Sequence, residues 1–178
     1  MLGKPLQPGS QSTSKAGAVN EVSKMRITGT KSPSPAMRVY DAGMDSEKLV
    51  YVIVADKPLS YPQGRSPIAY IGSTVHGIAR MAYSAAYRAQ GVLALHGVDS
   101  FAVYPFSSKG LPGAKAWWRK LERAFLIAFR EEYGTPPKLN IQGKSLRRTN
   151  EFDLFSEELV KRTIRNLEPV SRGIDECG

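Results

Sequence analysis

Polar side chains able to bind a phosphate group recur along one stretch of the chain at the spacing of a helix. These residues stand at positions i, i+4, i+7, i+8 and i+11 and therefore share one helical face. They are His76, Arg80, Tyr83, Ser84 and Tyr87. Arginine presents a planar fork of donors that matches a phosphate, and phenol hydroxyls add further donors. The pattern predicts a phosphate-binding surface, although an ordinary solvated helix face would have the same spacing.

A single carboxylate, Glu122, interrupts an apolar helical face. It follows Trp118 by four residues and precedes Phe125 by three, so its neighbours on the helix are large and apolar. A carboxylate at the margin of a packed face is usually avoided unless a cation compensates it. A divalent metal ion and an arginine salt bridge would each satisfy Glu122, and the spacing does not choose between them.

A small set of strands and helices must position these residues. Apolar, β-branched runs predict three strands, the first two joined by a long proline-containing loop over residues 55–67, and amphipathic periodicity predicts three helices. The predicted strands span 49–54, 68–71 and 101–104, and the predicted helices span about 75–90, 115–133 and 156–167. Gly134, with prolines just beyond it, predicts the end of the second helix. This order predicts an α+β fold with a small three-stranded, mostly antiparallel sheet flanked by helices, followed by a C-terminal helix.

The composition favours a polyanionic partner. The 178 residues include 25 Lys and Arg against 16 Asp and Glu, a formal net charge of +9, and such an excess favours nucleic acid or an anionic membrane face. No run approaches the roughly 18–20 apolar residues of a membrane span, and the N-terminus lacks the apolar core of a secretory signal. A single cysteine, Cys177, excludes an intramolecular disulfide and a multi-cysteine zinc site. We expect a soluble intracellular protein without a membrane partner, in the cytoplasm or, in a eukaryote, the nucleus or an organelle.

The chain divides into three predicted segments. Residues 1–40 are rich in Gly, Pro, Ser, Thr and Lys and lack a lasting apolar period, which predicts a flexible, disordered basic arm. Residues 44–142 hold the predicted strands and the first two helices, and residues 143–178 are predicted to form a basic loop, the last helix and a tail.

Taken in order, these motifs resemble the signature of the GIY-YIG nuclease family. The first motif would be Leu49-Val50-Tyr51, in which the family's glycine and isoleucine are replaced and its tyrosine is kept. The second would be Ala69-Tyr70-Ile71-Gly72, followed by Ser73-Thr74. Arg80 lies eight residues after that glycine, as the family's helix arginine does, and Glu122 lies in the next long helix. Pro137-Lys138-Leu139-Asn140 fits the closing motif, so the resemblance covers roughly residues 48–141.

The resemblance implies a catalytic set of Tyr51, Tyr70, Arg80, Glu122 and Asn140. Glu122 and water molecules would hold one divalent cation, Mg²⁺ or Mn²⁺, and Arg80 would bind the scissile phosphate. Tyr51 would be the general base, with Tyr70 orienting the water or the phosphate. Asn140 would hydrogen-bond backbone near the site and hold the Glu122 helix in place.

One departure from the family lies on the first helix. The family often has His, Tyr or Lys four residues after the arginine, where this chain has Ser84. Tyr83 and Tyr87 are adjacent on the face and could substitute for it, and His76, one turn before the arginine, is a candidate helper. Gly72 is expected to meet a conformational requirement of the turn between strand and helix.

The resemblance and the charge together predict a DNA substrate, and RNA would suit the same charges. The basic side chains expected to contact nucleic acid are Arg119, Arg123, Lys144, Arg147 and Arg148. Three hypotheses follow: a metal-dependent endonuclease, a catalytically weak relative that binds nucleic acid or recruits a partner, and a basic interaction protein whose resemblance is accidental. The sequence predicts no oligomeric state.

Overall fold

The computed structural model describes residues 47–108, 116–140 and 146–167. Within these ranges the elements are β1 (Leu49–Tyr61), β2 (Gly64–Thr74), α1 (Gly77–Leu93), β3 (Phe101–Phe106), α2 (Trp117–Tyr133), a 3-10 turn (Glu151–Asp153) and α3 (Glu157–Arg165). The predicted basic arm, residues 1–40, and the predicted DNA contact Lys144 lie outside the described residues.

The three strands form one antiparallel sheet in the order β2-β1-β3. The central strand β1 is buried from Leu49 through Ala55, as expected of an apolar run covered on both faces. Tyr51 pairs with Gly72 on β2 and with Pro105 on β3. The predicted α+β class with a small three-stranded antiparallel sheet is confirmed.

The long loop predicted over residues 55–67 is wrong. β1 continues through Tyr61, the chain turns at residues 62–63, and β2 begins at Gly64. The prolines that suggested a loop are tolerated because Pro58 and Pro67 both fall in the irregular stretch between the Val54 and Leu59 pairs, where the register shifts. The first two strands therefore form a tight hairpin.

The two long helices cover opposite faces of the sheet. Side chains alternate along β1, so Tyr51 and Val50 point to opposite faces. On the Tyr51 face, Arg88 of α1 donates a hydrogen bond to the hydroxyl of Tyr70, which lies on the same side of the sheet as Tyr51. On the Val50 face Phe106, the β3 partner of Val50, packs its ring edge-on against Phe125 of α2 with centroids 5.3 Å apart. The sheet is thus sandwiched between α1 and α2.

All three predicted helices are present, with shifted ends. α1 runs three residues beyond the predicted end, α2 begins two residues later than predicted, and α3 is shorter at both ends. Gly134 does end α2, adopting a left-handed φ of 85° that favours glycine, and its backbone N–H donates to the Arg130 carbonyl.

The segment 146–167 packs against α2. Val160, Ile164 and Leu167 are buried in the same apolar cluster as the α2 residues Phe125 and Phe129. The described part of this C-terminal segment therefore shares the hydrophobic core of the sheet and helices. None of the helices within the described ranges has the length and apolar character needed to cross a membrane.

Candidate active site

Two tyrosines from adjacent strands meet on the α1 face of the sheet. Tyr51 of β1 and Tyr70 of β2 are diagonal neighbours across the strand pair, and their ring centroids lie 5.9 Å apart at an interplanar angle of 42°. The structure brings these two predicted site residues into contact.

Gly72 lies directly beneath both hydroxyls. A methyl group added there would lie 2.8 Å from Tyr70 Oη and 3.0 Å from Tyr51 Oη. The backbone at Gly72 lies within a strand and has no left-handed φ. The reason for the glycine is therefore steric, because a side chain there would push the tyrosines aside, and the conformational reason expected from the sequence is wrong.

The Tyr51 hydroxyl is held by side chains from two elements. Ser84 on α1 and Tyr70 on β2 both lie beside it, close enough to affect its ionisation. Burial raises the pKa of Tyr51 above 10.0, whereas the hydrogen bond with Ser84 and the nearby charge of Arg88 act in the lowering direction. Ser84 therefore lies beside the buried phenol.

Arg88 joins Tyr51, Tyr70 and Ser84 in one cluster of side chains, and it was not predicted from the sequence. Its guanidinium carbon lies 3.8 Å from the centroid of the Tyr70 ring, and its Nη2 donates a 2.8 Å hydrogen bond to Tyr70 Oη. A signal was present, because Arg88 follows Ser84 by four residues and so continues the same helical stripe by one turn.

Glu122 adjoins the next residue of β2 from the opposite face of the sheet. Its side chain is only 8% exposed, and its Oε2 accepts a 2.6 Å hydrogen bond from Ser73 Oγ. Gly72 and Ser73 are consecutive residues near the end of the outer strand β2. The phenol pair and the carboxylate therefore flank one short stretch of backbone, one on each face.

Asn140 supports the same stretch from its free edge. Its Oδ1 accepts from the backbone N–H of Ile71 at 2.9 Å, and its Nδ2 donates to the carbonyl of Ile71 at 2.7 Å. The neighbouring Leu139 N–H donates to the Ala69 carbonyl. The predicted hydrogen bond to backbone near the site is present, and it holds β2.

The phosphate-binding stripe predicted on α1 is divided by the fold. Ser84 points into the cluster, whereas Tyr83 and Tyr87 are 63% and 77% exposed. Arg80 is also exposed, with its guanidinium carbon 4.9 Å from the Tyr83 ring centroid. His76 is exposed at the start of the helix, and its backbone N–H donates to Thr74 Oγ1. Together these exposed side chains line the outer surface of α1.

Two of the predicted nucleic-acid contacts are bound within the protein. Arg123 Nε pairs with the buried Glu151 at 2.6 Å, and Arg148 binds both Glu131 and Glu157, at 2.7 and 2.6 Å. Arg123 therefore links α2 to the 3-10 turn and Arg148 links α2 to α3, and their contact with nucleic acid stays a prediction. Arg119 and Arg147 are exposed.

The donor set around Glu122 limits which metal could bind. Within the described ranges there is no group of three or more His, Cys, Asp or Glu side chains that could hold a metal ion. Zn²⁺ takes three or four protein ligands, whereas Mg²⁺ commonly takes one or two carboxylates and retains several waters. Among the described residues the ligand set around Glu122 is therefore too small for zinc, whereas one carboxylate is within the range that Mg²⁺ uses.

Comparison with known proteins gives no relative: no protein-family model, no curated protein and no solved structure matches the chain.

Proposed function

We propose that this protein is a metal-dependent endonuclease of the GIY-YIG type that hydrolyses phosphodiester bonds in DNA. The observation that carries the proposal is that two phenol hydroxyls and a buried carboxylate lie against consecutive residues of one strand, Gly72 and Ser73, one group on each face. Phosphodiester hydrolysis needs a base, a group that stabilises charge on the phosphoryl oxygens, and help for the leaving oxygen. One short stretch of β2 gathers side chains suited to these tasks.

In this proposal Tyr51 accepts the proton of the attacking water. Its burial favours the neutral phenol, so the hydrogen bond with Ser84 and the charge of Arg88 have to favour the ionised form. Tyr70, in contact with Tyr51, orients the water or the phosphate. Arg80, exposed on α1, binds the phosphate from the solvent side.

Glu122 would hold the divalent cation, Mg²⁺ or Mn²⁺, with waters in its remaining positions. The cation, when bound, would supply positive charge for the phosphoryl oxygens and the leaving group. Ser73 orients the carboxylate of Glu122, and Asn140 holds the strand that carries Ser73.

The charge of the molecule supports a nucleic-acid substrate. The net charge of +9 favours a polyanion, and Arg119 and Arg147 remain exposed for phosphate contacts. RNA offers the same phosphates, so the charge supports DNA and RNA alike.

One observation favours a second candidate, a relative that binds nucleic acid or recruits a partner and cuts poorly. Ser84 is neutral, whereas the GIY-YIG nucleases that this chain resembles often have an ionisable side chain at that position. The proposed base beside it, Tyr51, is buried. Such a protein would keep salt-sensitive nucleic-acid binding and lack turnover.

Cleavage of supercoiled plasmid tests the proposal. The wild type, Glu122→Gln and the matched control Glu158→Gln, an exposed glutamate on α3, are compared in Mg²⁺, Mn²⁺ and EDTA. We expect metal-dependent nicking by the wild type and the control, and a loss of at least about a hundredfold in Glu122→Gln.

Equal cutting by Glu122→Gln would contradict the assigned site. No cutting by the wild type, together with a gel shift that weakens as salt rises, would favour the binding protein.

A further inference from the structure

Arg88 makes two different contacts with one side chain. Its guanidinium stacks on the Tyr70 ring at 3.8 Å and also donates to the hydroxyl of that ring at 2.8 Å. Stacking fixes the plane of the ring, and the hydrogen bond fixes the position of its oxygen. Tyr70 is thus held by both its ring and its hydroxyl.

The hydrogen bond also sets the role of the Tyr70 oxygen. Arginine carries donors and no acceptor, so Tyr70 Oη must be the acceptor in this contact. A phenol oxygen that accepts from a permanent cation is suited to share negative charge. The same cation lies close enough to act electrostatically on Tyr51.

A third feature of Arg88 concerns its guanidinium Nε, which is buried. Arg88 Nε is shielded from solvent and has no hydrogen-bond partner among the described residues. Leaving a charged donor unsatisfied is unfavourable for folding. An unsatisfied buried donor in a native structure calls for an explanation, and a functional role is one of them.

We infer that Arg88 is a positioning residue of the candidate active site: it fixes the Tyr70 hydroxyl beside Tyr51 and supplies the positive charge that a phenolate in this pair requires. The inference rests on the proposed nuclease function for its catalytic meaning. In this inference Arg88 supplies the cation beside the tyrosine pair, since Ser84, one turn earlier on α1, is neutral.

The first test measures the tyrosines directly and needs no substrate. The protein is labelled with ¹³C at tyrosine Cζ, and the Tyr51 signal is identified as the one that Tyr51→Phe removes. Arg88→Met should raise the titration midpoint of Tyr51 by about one pH unit, because a nearby cation favours the phenolate. Arg88→Lys, which keeps the charge and loses the planar fork, should shift it by less.

Arg162→Met serves as the control, since Arg162 is an exposed arginine on α3. Circular dichroism and thermal unfolding establish that each variant is folded, and Arg88→Lys provides the second variant if Arg88→Met is not. An unchanged Tyr51 midpoint in folded Arg88→Met overturns the inference.

Plasmid cleavage supplies the second readout. A positioning role predicts that Arg88→Met lowers kcat by about ten- to a hundredfold and changes KM by less than about twofold. Equal loss in Arg162→Met would overturn the assignment to Arg88. The two failures are distinguishable. If the Tyr51 midpoint shifts in Arg88→Met but the wild type does not cut plasmid, the positioning of the tyrosine pair by Arg88 is supported and the nuclease proposal is refuted.

Discussion

At Gly72 the side chains of the candidate site come so close to the backbone that a methyl group has no room. An added Cβ would lie 2.6 Å from Tyr70 Cε1, well inside van der Waals contact. The neighbours are the far ends of two tyrosines, so they can move at moderate cost. Their movement would break the contacts of Tyr70 with Tyr51 and Arg88.

We therefore predict that Gly72→Ala affects activity more than stability. The free energy of unfolding, measured by urea denaturation, should fall by about 1–2 kcal/mol. Plasmid nicking should fall by at least about tenfold, because a displacement of reacting groups by about 1 Å is costly for catalysis.

Gly91→Ala is the matched control. A Cβ at Gly91 would meet Leu139 Cδ2 at an ordinary 3.6 Å. Since Gly91 lies in α1, alanine should stabilise the protein by about 0.5–1 kcal/mol. Unchanged nicking in Gly72→Ala would contradict the close packing of the tyrosines.

At the scale of elements, a buried carboxylate joins α2 to the segment that follows it. Glu151 is 2% exposed, and its carboxylate accepts from Arg123 Nε at 2.6 Å and from the Thr149 backbone N–H at 2.8 Å. Burial by itself raises the pKa of Glu151, but these hydrogen bonds outweigh it and hold the pKa at about 2.

We predict that Glu151→Gln destabilises the protein most at pH values above the pKa that the Glu151 carboxyl has in the unfolded chain. A carboxyl with a lowered folded pKa adds stability above its unfolded value of 4.5, and loses it as pH falls through about 2. The variant should therefore be less stable by about 3 kcal/mol at neutral pH.

Urea denaturation from pH 7 down to pH 2 measures this effect. Between pH 4.5 and about 2 the stability curve of Glu151→Gln should be flatter than that of the wild type. Asp153→Asn, in the same turn and exposed, should follow the wild-type curve. Parallel curves for Glu151→Gln and wild type would argue against the buried ion pair.

For the whole molecule, the alkaline limit of stability depends on buried tyrosines that bind distant parts of the chain. Tyr61, at the end of β1, donates to the Ile68 carbonyl at 2.5 Å and accepts from the Lys138 backbone N–H at 3.3 Å. Burial raises the pKa of Tyr61 to about 12, and burial also raises the pKa of Tyr51 and Tyr133.

We predict that stability falls as pH rises from 10 towards 12. A group with a raised folded pKa contributes stability that is complete below its unfolded value of 10.0 and is lost as pH rises through about 12. Tyr61 alone accounts for roughly 2–3 kcal/mol of that fall.

Tyr61→Phe tests the contribution of this one residue. The variant should lose about 1–2 kcal/mol at neutral pH because the Ile68 carbonyl loses its donor. Above pH 10 its stability should decline less steeply than that of the wild type. Tyr87→Phe, altered at a hydroxyl on the surface of α1, should match the wild type, and equal slopes for all three proteins would refute the role of Tyr61.

The elements of this fold follow largely from local sequence. The run from Leu49 to Val54 is continuous and β-branched, and the α2 residues recur at helical spacing, so their types could be predicted from near neighbours. The hairpin could not be predicted in the same way. Pro58 and Pro67 are strand-breaking in isolation and are accommodated only because the register shifts between them.

For the candidate site, the sequence predicted individual members and missed their connections. The motifs predict Tyr51, Tyr70, Glu122 and Asn140, and their roles in catalysis remain predictions. Arg88 was missed because an arginine on a helix face is usually solvated, and only packing against Tyr70 distinguishes it.

What the sequence determined by itself is the kind of molecule: a basic α+β domain whose strands, helices and glycine-ended α2 arise from interactions between neighbouring residues. What only the tertiary structure decided is which side chains meet. Ser73 and Glu122 are separated by 49 residues, and Ile71 and Asn140 by 69. The same packing pairs Arg123 and Arg148 with carboxylates and leaves Arg80 exposed. Such contacts depend on how the helices seat on the sheet, and no periodicity along the chain records that geometry.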